Sequence, residues 1–371
     1  MRHARRRRRQ AVVTAVAALL LVTGTSYVRA LTYPGSASWS DRSVEWVRDH
    51  GGGGVVDAIE SWYYSRQAPA TSGRPQDALS APAVGRAVQH RAGSLLPLGA
   101  PRVRLVTTLS PAPGEGVWRP LGVGGRMWQT WVRPDPRHPP VVAAAVLVPA
   151  GVARLHLVGG TREPVPDPNA TGRVPSSALG TLLATFNAGF KMKDSHGGWE
   201  VGRSPQVPLV NGRASLVITR AGGWRVGAWG HDVGPAADVA AIRQNLDLVV
   251  TGGRPVAGLT SNAHGRWGSA HSQFEYTWRS GIGVDQAGDL IYVAGRSMRL
   301  STFADAMARL GVVEGMELDI HTDMVSFNAV VARHGDQVVM RRLLSTMASS
   351  SRRYLKTDQR DFLYLTAVSA P

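Results

Sequence analysis

Hydrophobic and polar positions alternate over short runs along most of the chain, with turn residues between the runs, and helical spacing is confined to a few segments. Alternation of this kind predicts half-buried strands, because successive side chains point to opposite faces. Gln129–Arg133, Val141–Val148, Leu182–Phe186, Gly281–Val284 and Leu290–Ala294 read as strands on that basis. Asn211-Gly212, between Val207–Val210 and Ala214–Thr219, predicts a tight hairpin, since both central residues tolerate a left-handed backbone. Arg220–Gly223 turns the next pair into Trp224–Trp229, and Val325–Arg333 with Gln337–Leu343 predicts a hairpin across His334–Asp336. Helical spacing marks Pro235–Leu246 and Ser301–Leu310; in the second, Phe303, Ala306, Met307 and Leu310 share a stripe. Ser301 or Thr302 is placed to cap that helix, and Gly311 to end it with a left-handed residue. Many hairpins beside a few short helices predict an α+β fold of mixed and antiparallel sheets with a few packed helices.

The front of the chain follows other rules. Arg5–Arg9 precedes Ala11–Val28, a stretch without a single charge and rich in Ala, Val and Leu. A positive flank before an apolar segment predicts export, with the segment acting as a signal peptide or as an anchor whose positive side stays inside. Val28-Arg29-Ala30 offers a weak cleavage site, which favours retention of residues 1–30 as a single-pass anchor over secretion after Ala30. Val44–Asp49 and Val55–Ser65 read as short helices separated by Gly51–Gly54, and Gln67–Ala92 is an Ala, Pro, Gly and Ser-rich linker, so residues 31–96 form a stalk. A β-rich part over 97–175 and a denser part over 176–371 complete the expected organisation.

Composition changes this picture only at the margins. The 371 residues carry a formal charge of +16, but six of the positive charges precede the apolar segment. The remaining basic residues are almost all Arg, with Lys191, Lys193 and Lys356 the exceptions, and no nucleic-acid-binding motif occurs. Nucleic acid is therefore not an expected partner, whereas an anionic cell-wall polymer fits the charge. Absence of cysteine rules out disulfides, thiolate metal sites and a Cys nucleophile. His264 and His271 are too loosely spaced for a metal pair, and no phosphate loop, dinucleotide fingerprint or zinc-protease motif is present. No metal and no cofactor is expected.

Candidate chemistry concentrates in Gly311–Asn328. Read as a strand, Met316–Ile320 puts Met316, Leu318 and Ile320 on one face and Glu317 and Asp319 on the other. Two carboxylates at that spacing lie roughly 7 Å apart and shift each other's ionisation. Spacing alone fits either an acidic site or an edge strand with a wet face. The helix before this strand makes a strand–helix–strand crossover, where ligand groups gather at strand ends; Asp319, His321 and Asp323 fall there. Asn187 follows an apolar strand and precedes a Gly that lets another group approach the backbone; an ordinary turn is the alternative. Arg279 enters an apolar strand, and its planar fork suits phosphate or carboxylate, or simply solvent. Trp267, in the loop Asn262–His271, is either a platform for a sugar or a ring folded inward.

In order, the strand into TFNAGF, the hairpins, WRSGIGVDQAGDLIYVAG, the helix ending at Leu310-Gly311 and then MELD resemble the phosphodiester glycosidase family over about Leu179–Val331. Asn187-Ala188-Gly189-Phe190 stands where that family has an Asn-Gly-Gly-Phe-like segment, and Arg279 with Gly283 matches its Arg-x-x-x-Gly strand entry. Of its Asn-Leu-Asp-Gly-Gly-Gly-Ser segment, Leu318 and Asp319 remain, followed by Ile320-His321-Thr322-Asp323. GEGVW at Gly114–Trp118 is similar to the segment before this domain in exported actinobacterial relatives. The resemblance implies an exported hydrolase cleaving sugar phosphodiesters of envelope glycans. Asp319 would be acid or base with Glu317 tuning it, and Arg279 would hold phosphate. Asn187, His321, Asp323 and Trp267 would be substrate-binding residues. The departure after Asp319 opens the alternative of an inactive glycan-binding or scaffold protein on the same fold.

Overall fold

The computed structural model describes residues 2–33, 38–75, 100–166, 170–202, 204–261, 265–268, 273–335 and 337–368. The chain divides into two compact units, Met1–Glu60 and Ser61–Pro371. Much of the expected linker Gln67–Ala92, together with His264 and His271, lies outside the described residues.

The first unit is helical. Helix α1 (Arg2–Thr32) runs through the expected cleavage point, and its segment Arg6–Thr32, which contains an 18-residue stretch of mean hydropathy 1.9, is long and apolar enough to cross a membrane or to act as a signal. Helix α2 (Trp39–Val47) returns against the end of α1: the Tyr27 and Trp46 rings meet edge-on at 5.2 Å, and Arg42 donates to the Leu31 carbonyl at 2.8 Å. The chain then breaks at Gly51, whose φ of +88° suits glycine, before α3 (Gly53–Ser65).

The second unit is built of sheets. Its first part gives β1 (Arg119–Leu121), β2 (Met127–Val132), β3 (Ala143–Val148), β4 (Ala153–Val158) and β5 (Leu182–Asn187). The single turn α4 (Met192–Ser195) leads into β6 (Trp199–Val201) and β7 (Ser204–Val207). Then come β8 (Ala214–Thr219), β9 (Trp224–Ala228), β10 (Val239–Gln244), β11 (Leu248–Thr251) and β12 (Arg254–Pro255). The last part contributes β13 (Thr277–Val284), β14 (Leu290–Met298), α5 (Leu300–Arg309), β15 (Glu314–Ile320), β16 (Phe327–His334), β17 (Gln337–Arg342) and β18 (Phe362–Ala367).

Among the described residues these strands make three sheets, in the orders β1-β2-β3-β14-β13-β15-β11-β12, β7-β6-β10-β8-β9 and β17-β16-β5-β18-β4. The architecture is α+β, as the pattern predicts. One face of the eight-stranded sheet, through Val146, Tyr292, Ile282 and Met316, packs on Leu216 and Val226 of the second sheet and on Phe186, Phe327 and Leu363 of the third. Its other face carries α5 through Phe303, Met307 and Leu310. Burying both faces explains why β3 and β14 read as continuous apolar runs rather than alternating ones. Strands from 97–175 lie in the same sheets as later ones: β1–β3 continue into β14, and β4 pairs with β18.

Three local expectations are corrected. Pro235–Leu246 is not a helix: β10 lies between β6 and β8, and strand pairing overrides the helical spacing. Gly212 does turn at φ +82°, but no ladder forms across it. Gln244 occupies the backbone of Val210 instead, accepting from its N–H at 2.7 Å and donating to its carbonyl at 3.0 Å, and β8 pairs with β9 and β10. Helix α5 begins at Leu300 with no side-chain cap from Ser301 or Thr302. Its end is as expected, with Gly311 at φ +97°. Strands β14 and β15 flank α5 in sequence, but β13 lies between them in the sheet.

Candidate active site

The ends of β5, β15 and β4 and the starts of β16 and β18 converge at one end of the third sheet. Asp319 reaches this junction because β15 is irregular. Arg279 pairs with Ile320 and Gly281 with Glu317, so Leu318 and Asp319 together lie opposite Ser280. Such a bulge ends strict alternation and re-aims a side chain. The two acids consequently go to separate cations. Glu317 accepts from Arg279 Nη1 at 2.7 Å, whereas Asp319 Oδ2 accepts from Arg360 Nη2 at 2.9 Å.

Asp319 is only 7% exposed, and its other oxygen accepts from the Ile320 N–H at 2.8 Å. Burial pushes its carboxyl up to about 6; Arg360 opposes that rise, and Asp361 adds to it. The charges that act most on Asp319 are thus those of Arg360, Asp361 and Arg353, and the expected tuning by Glu317 gives way to them. Burial also raises the Glu317 carboxyl, against the pull of Arg279.

Asn187 sits at the centre of the hydrogen bonding. Its Nδ2 donates to Ser280 Oγ at 2.9 Å and to the Ala188 carbonyl at 3.0 Å. Its Oδ1 accepts from the Ser326 N–H at 3.0 Å and from the Tyr292 hydroxyl at 3.2 Å. Ser280 in turn donates to the Asp319 carbonyl at 2.9 Å. An amide that both donates and accepts ties the end of β5 and the segment before β16 to β13 and β14, so Asn187 positions Asp319 through Ser280. Gly189 is needed for a neighbouring side chain: a Cβ there would stand 3.0 Å from the Arg243 guanidinium.

Most of the charged shell around Asp319 carries no local signal in the sequence. Arg243 donates to Asp361 at 2.8 Å with both side chains 1% exposed, and also to the Phe190 carbonyl. Arg353 pairs with Asp358 at 2.8 Å and donates to the Asp323 carbonyl at 2.8 Å, holding the loop after β15. Asn245 donates to the Glu317 and Leu318 carbonyls at 2.6 and 2.7 Å. Glu163, in the loop after β4, accepts from the Met192 N–H at 3.3 Å. Burial raises its carboxyl, while Arg360 pulls the other way. Glu163 and Asp319 therefore share the field of one guanidinium. In the sequence that loop falls in the Pro-rich stretch Thr161–Pro175, where nothing local marks Glu163.

Arg279 is buried, donating to Glu317 and to the Met298 and Glu275 carbonyls, so Arg360 rather than Arg279 is the guanidinium beside Asp319. His321 adopts φ +76° at the second of the positions where the resembled family has glycine, and its Nδ1 lies 3.2 Å from Thr277 Oγ1. The left-handed backbone is present there without the glycine. Asp323 is half-buried beside Arg353. Trp267 is folded inward: it is 2% exposed, donates to the Leu248 carbonyl at 3.1 Å and packs in the cluster under α5. It offers no open face to a sugar. Among the described residues no group of three or more His, Asp or Glu side chains is arranged to hold a metal.

No protein-family model matches the chain. No curated protein matches it either. Among solved structures, the catalytic domain of zebrafish N-acetylglucosamine-1-phosphodiester alpha-N-acetylglucosaminidase, auto-inhibited by its pro-peptide, is similar at 14% identity and a TM-score of 0.42, covering 72% of this chain and 87% of that one. A hypothetical protein from Synechocystis is similar at 14% identity and a TM-score of 0.36; the match covers 62% of this chain and spans 59% of that protein.

Proposed function

We propose that the protein is an exported, membrane-anchored hydrolase of sugar phosphodiesters in envelope glycans, with Asp319 as its acid or base. The observation that carries this reading is the Asp319 carboxyl itself, buried, held by Arg360 and the Ile320 N–H, and poised at about 6. A group poised there exchanges a proton near neutral pH, as acid–base catalysis requires. The order of motifs around Asn187, Arg279 and Asp319 supplies the substrate class. In the reaction, water adds to the anomeric carbon, the bond from that carbon to the phosphate oxygen breaks, and the water's proton passes to a carboxylate. Asp319 takes or returns that proton, and Glu163, under the same guanidinium, is the second carboxyl. Asn187 and Ser280 keep Asp319 in place.

Full-length protein incubated with a panel of sugar-1-phosphodiesters tests the reading. Release of free sugar is expected, falling by about 100-fold or more in Asp319→Asn. Equal release by the variant would remove Asp319 from the chemistry.

Ile320, a buried β-branched residue where the resembled family has glycine, favours a second reading, an inactive glycan-binding or scaffold protein. Retained binding of wall polymer by Asp319→Ala, with no turnover by either form, is the outcome that selects it.

A further inference from the structure

At the other face of the eight-stranded sheet, α5 starts in a way that is unfavourable without a ligand. Its N-cap residue is Arg299, no side chain caps the first turn, and no acidic residue lies in that turn. A helix start carries partial positive charge and ordinarily attracts acids, so a cation at this position is repelled. Arg299 is half-buried with its guanidinium carbon 4.5 Å from the centre of the Tyr276 ring. Its Nε is buried and meets no partner among the described residues. Tyr276 also contacts His138, edge-on at 5.7 Å, and His138 Nδ1 is engaged by Asp135 at 2.8 Å.

A second unsatisfied group belongs to the residue whose backbone meets this helix start. The carbonyl of Gln273 accepts from the Leu300 N–H at 3.0 Å, which anchors Gln273 to the first residue of α5. Its side chain is 1% exposed, and both Oε1 and Nε2 lack partners among the described residues. A buried amide with neither atom bonded is rare and costly. Of the acids near by, Glu317 pairs with Arg279, and Asp135 engages His138 and the Arg137 N–H; among the described residues no acid forms an ion pair with Arg299.

We propose that this junction is an oxyanion site that takes a phosphate mono- or diester between the Arg299 guanidinium, the Gln273 amide and the first turn of α5. A tetrahedral oxyanion accepts from diverging donors, and a helix start, a guanidinium fork and a primary amide are donors of that kind. Ser301 and Thr302, half-buried in the first turn, add hydroxyls. The site stands whether or not Asp319 hydrolyses anything.

The test uses the full chain in detergent, labelled with nitrogen-15 in arginine, and inorganic phosphate and dimethyl phosphate as probes. The Arg299 Nε–H resonance, assigned by its loss in Arg299→Lys, is expected to move saturably with phosphate. Arg299→Gln and Gln273→Leu are expected to weaken phosphate by about tenfold or more, the loss of a charge-assisted or buried hydrogen bond. Asp319→Asn should leave the titration unchanged even where it abolishes hydrolysis, which separates the two proposals. Movement with dimethyl phosphate as well assigns the site to a diester within a polymer; movement with inorganic phosphate alone assigns it to a free or terminal phosphate. An Arg299 signal that moves with neither probe overturns the site, as does unchanged affinity in a folded Arg299→Gln variant. The wild-type resonance decides the matter if that variant does not fold.

Discussion

Arg360 Nη2 bridges Asp319 Oδ2 and the carbonyl of Gly189, at 2.9 and 3.0 Å, so one guanidinium nitrogen joins the end of β15 to the segment after β5. Removing it strands a buried carboxylate. Arg360→Met is expected to cost about 3–5 kcal/mol at pH 7, where the carboxylate is charged, and less at pH 4.5, where protonation relieves it. Urea unfolding at the two pH values measures this.

The pH dependence of Asp319 itself has a defined sign. Its folded value, raised from 3.8 to about 6, means that the native state holds a proton which the unfolded chain has already released. That contribution to stability is fully present below about pH 4 and is lost as pH rises through about 6. The loss is of the order of 3 kcal/mol, at 1.36 kcal/mol for each unit. Relative to Asp319→Asn, wild-type stability should fall across this window and level off above it. A constant difference between the two proteins would show an ordinary carboxyl.

Asn187→Ala removes the partner of Ser280 Oγ, the Ser326 N–H and the Tyr292 hydroxyl at once. A loss of about 2–4 kcal/mol is expected, since each buried group left unpaired costs roughly 1–3 kcal/mol and the effects overlap. Thermal melts report the stability, and activity should fall with it because Asp319 loses its support.

Arg243 and Asp361 allow a test of pairing against charge. Either residue changed alone to a similar-sized apolar one should cost about 3–5 kcal/mol, while Arg243→Met with Asp361→Leu together should cost much less. A double-mutant cycle in urea measures the difference.

Trp267→Ala is expected to destabilise by about 3–5 kcal/mol, as deletion of a core indole does, and to leave glycan binding by the folded protein unchanged. Weaker binding with unaltered stability would return the ring to the role of a sugar platform.

Much of the fold was legible because its signals are local. The hairpins at Arg220–Gly223 and His334–Asp336 and the end of α5 at Gly311 depend on a few adjacent residues. Asp319 and Asn187 stood out for the same reason, as polar residues ending apolar strands. Arg360 did not, because its partner is 41 residues away, and Arg243 and Asp361 are separated by 118. Nothing in single-sequence spacing joins such residues. The helix expected over Pro235–Leu246 failed in the same way, since only the flanking β6 and β8 make it a strand. The separation of Glu317 from Asp319 rests on a bulge opposite Ser280, a feature of two strands together.

The place of β18 sets the order in which the site can come into being. It follows every other described strand in sequence, yet it lies between β5 and β4, inside its sheet rather than at the edge. Arg360 and Asp361 immediately precede it. A chain emerging N-terminus first would present β4 and β5 with a vacant lane between them until β18 arrived. Until then Asp319 would lack Arg360 and Arg243 would lack Asp361. The third sheet and the charged shell would thus close in one late step of high sequence separation, which favours slow, all-or-none maturation. A partly emerged chain would carry none of the chemistry proposed for the finished one.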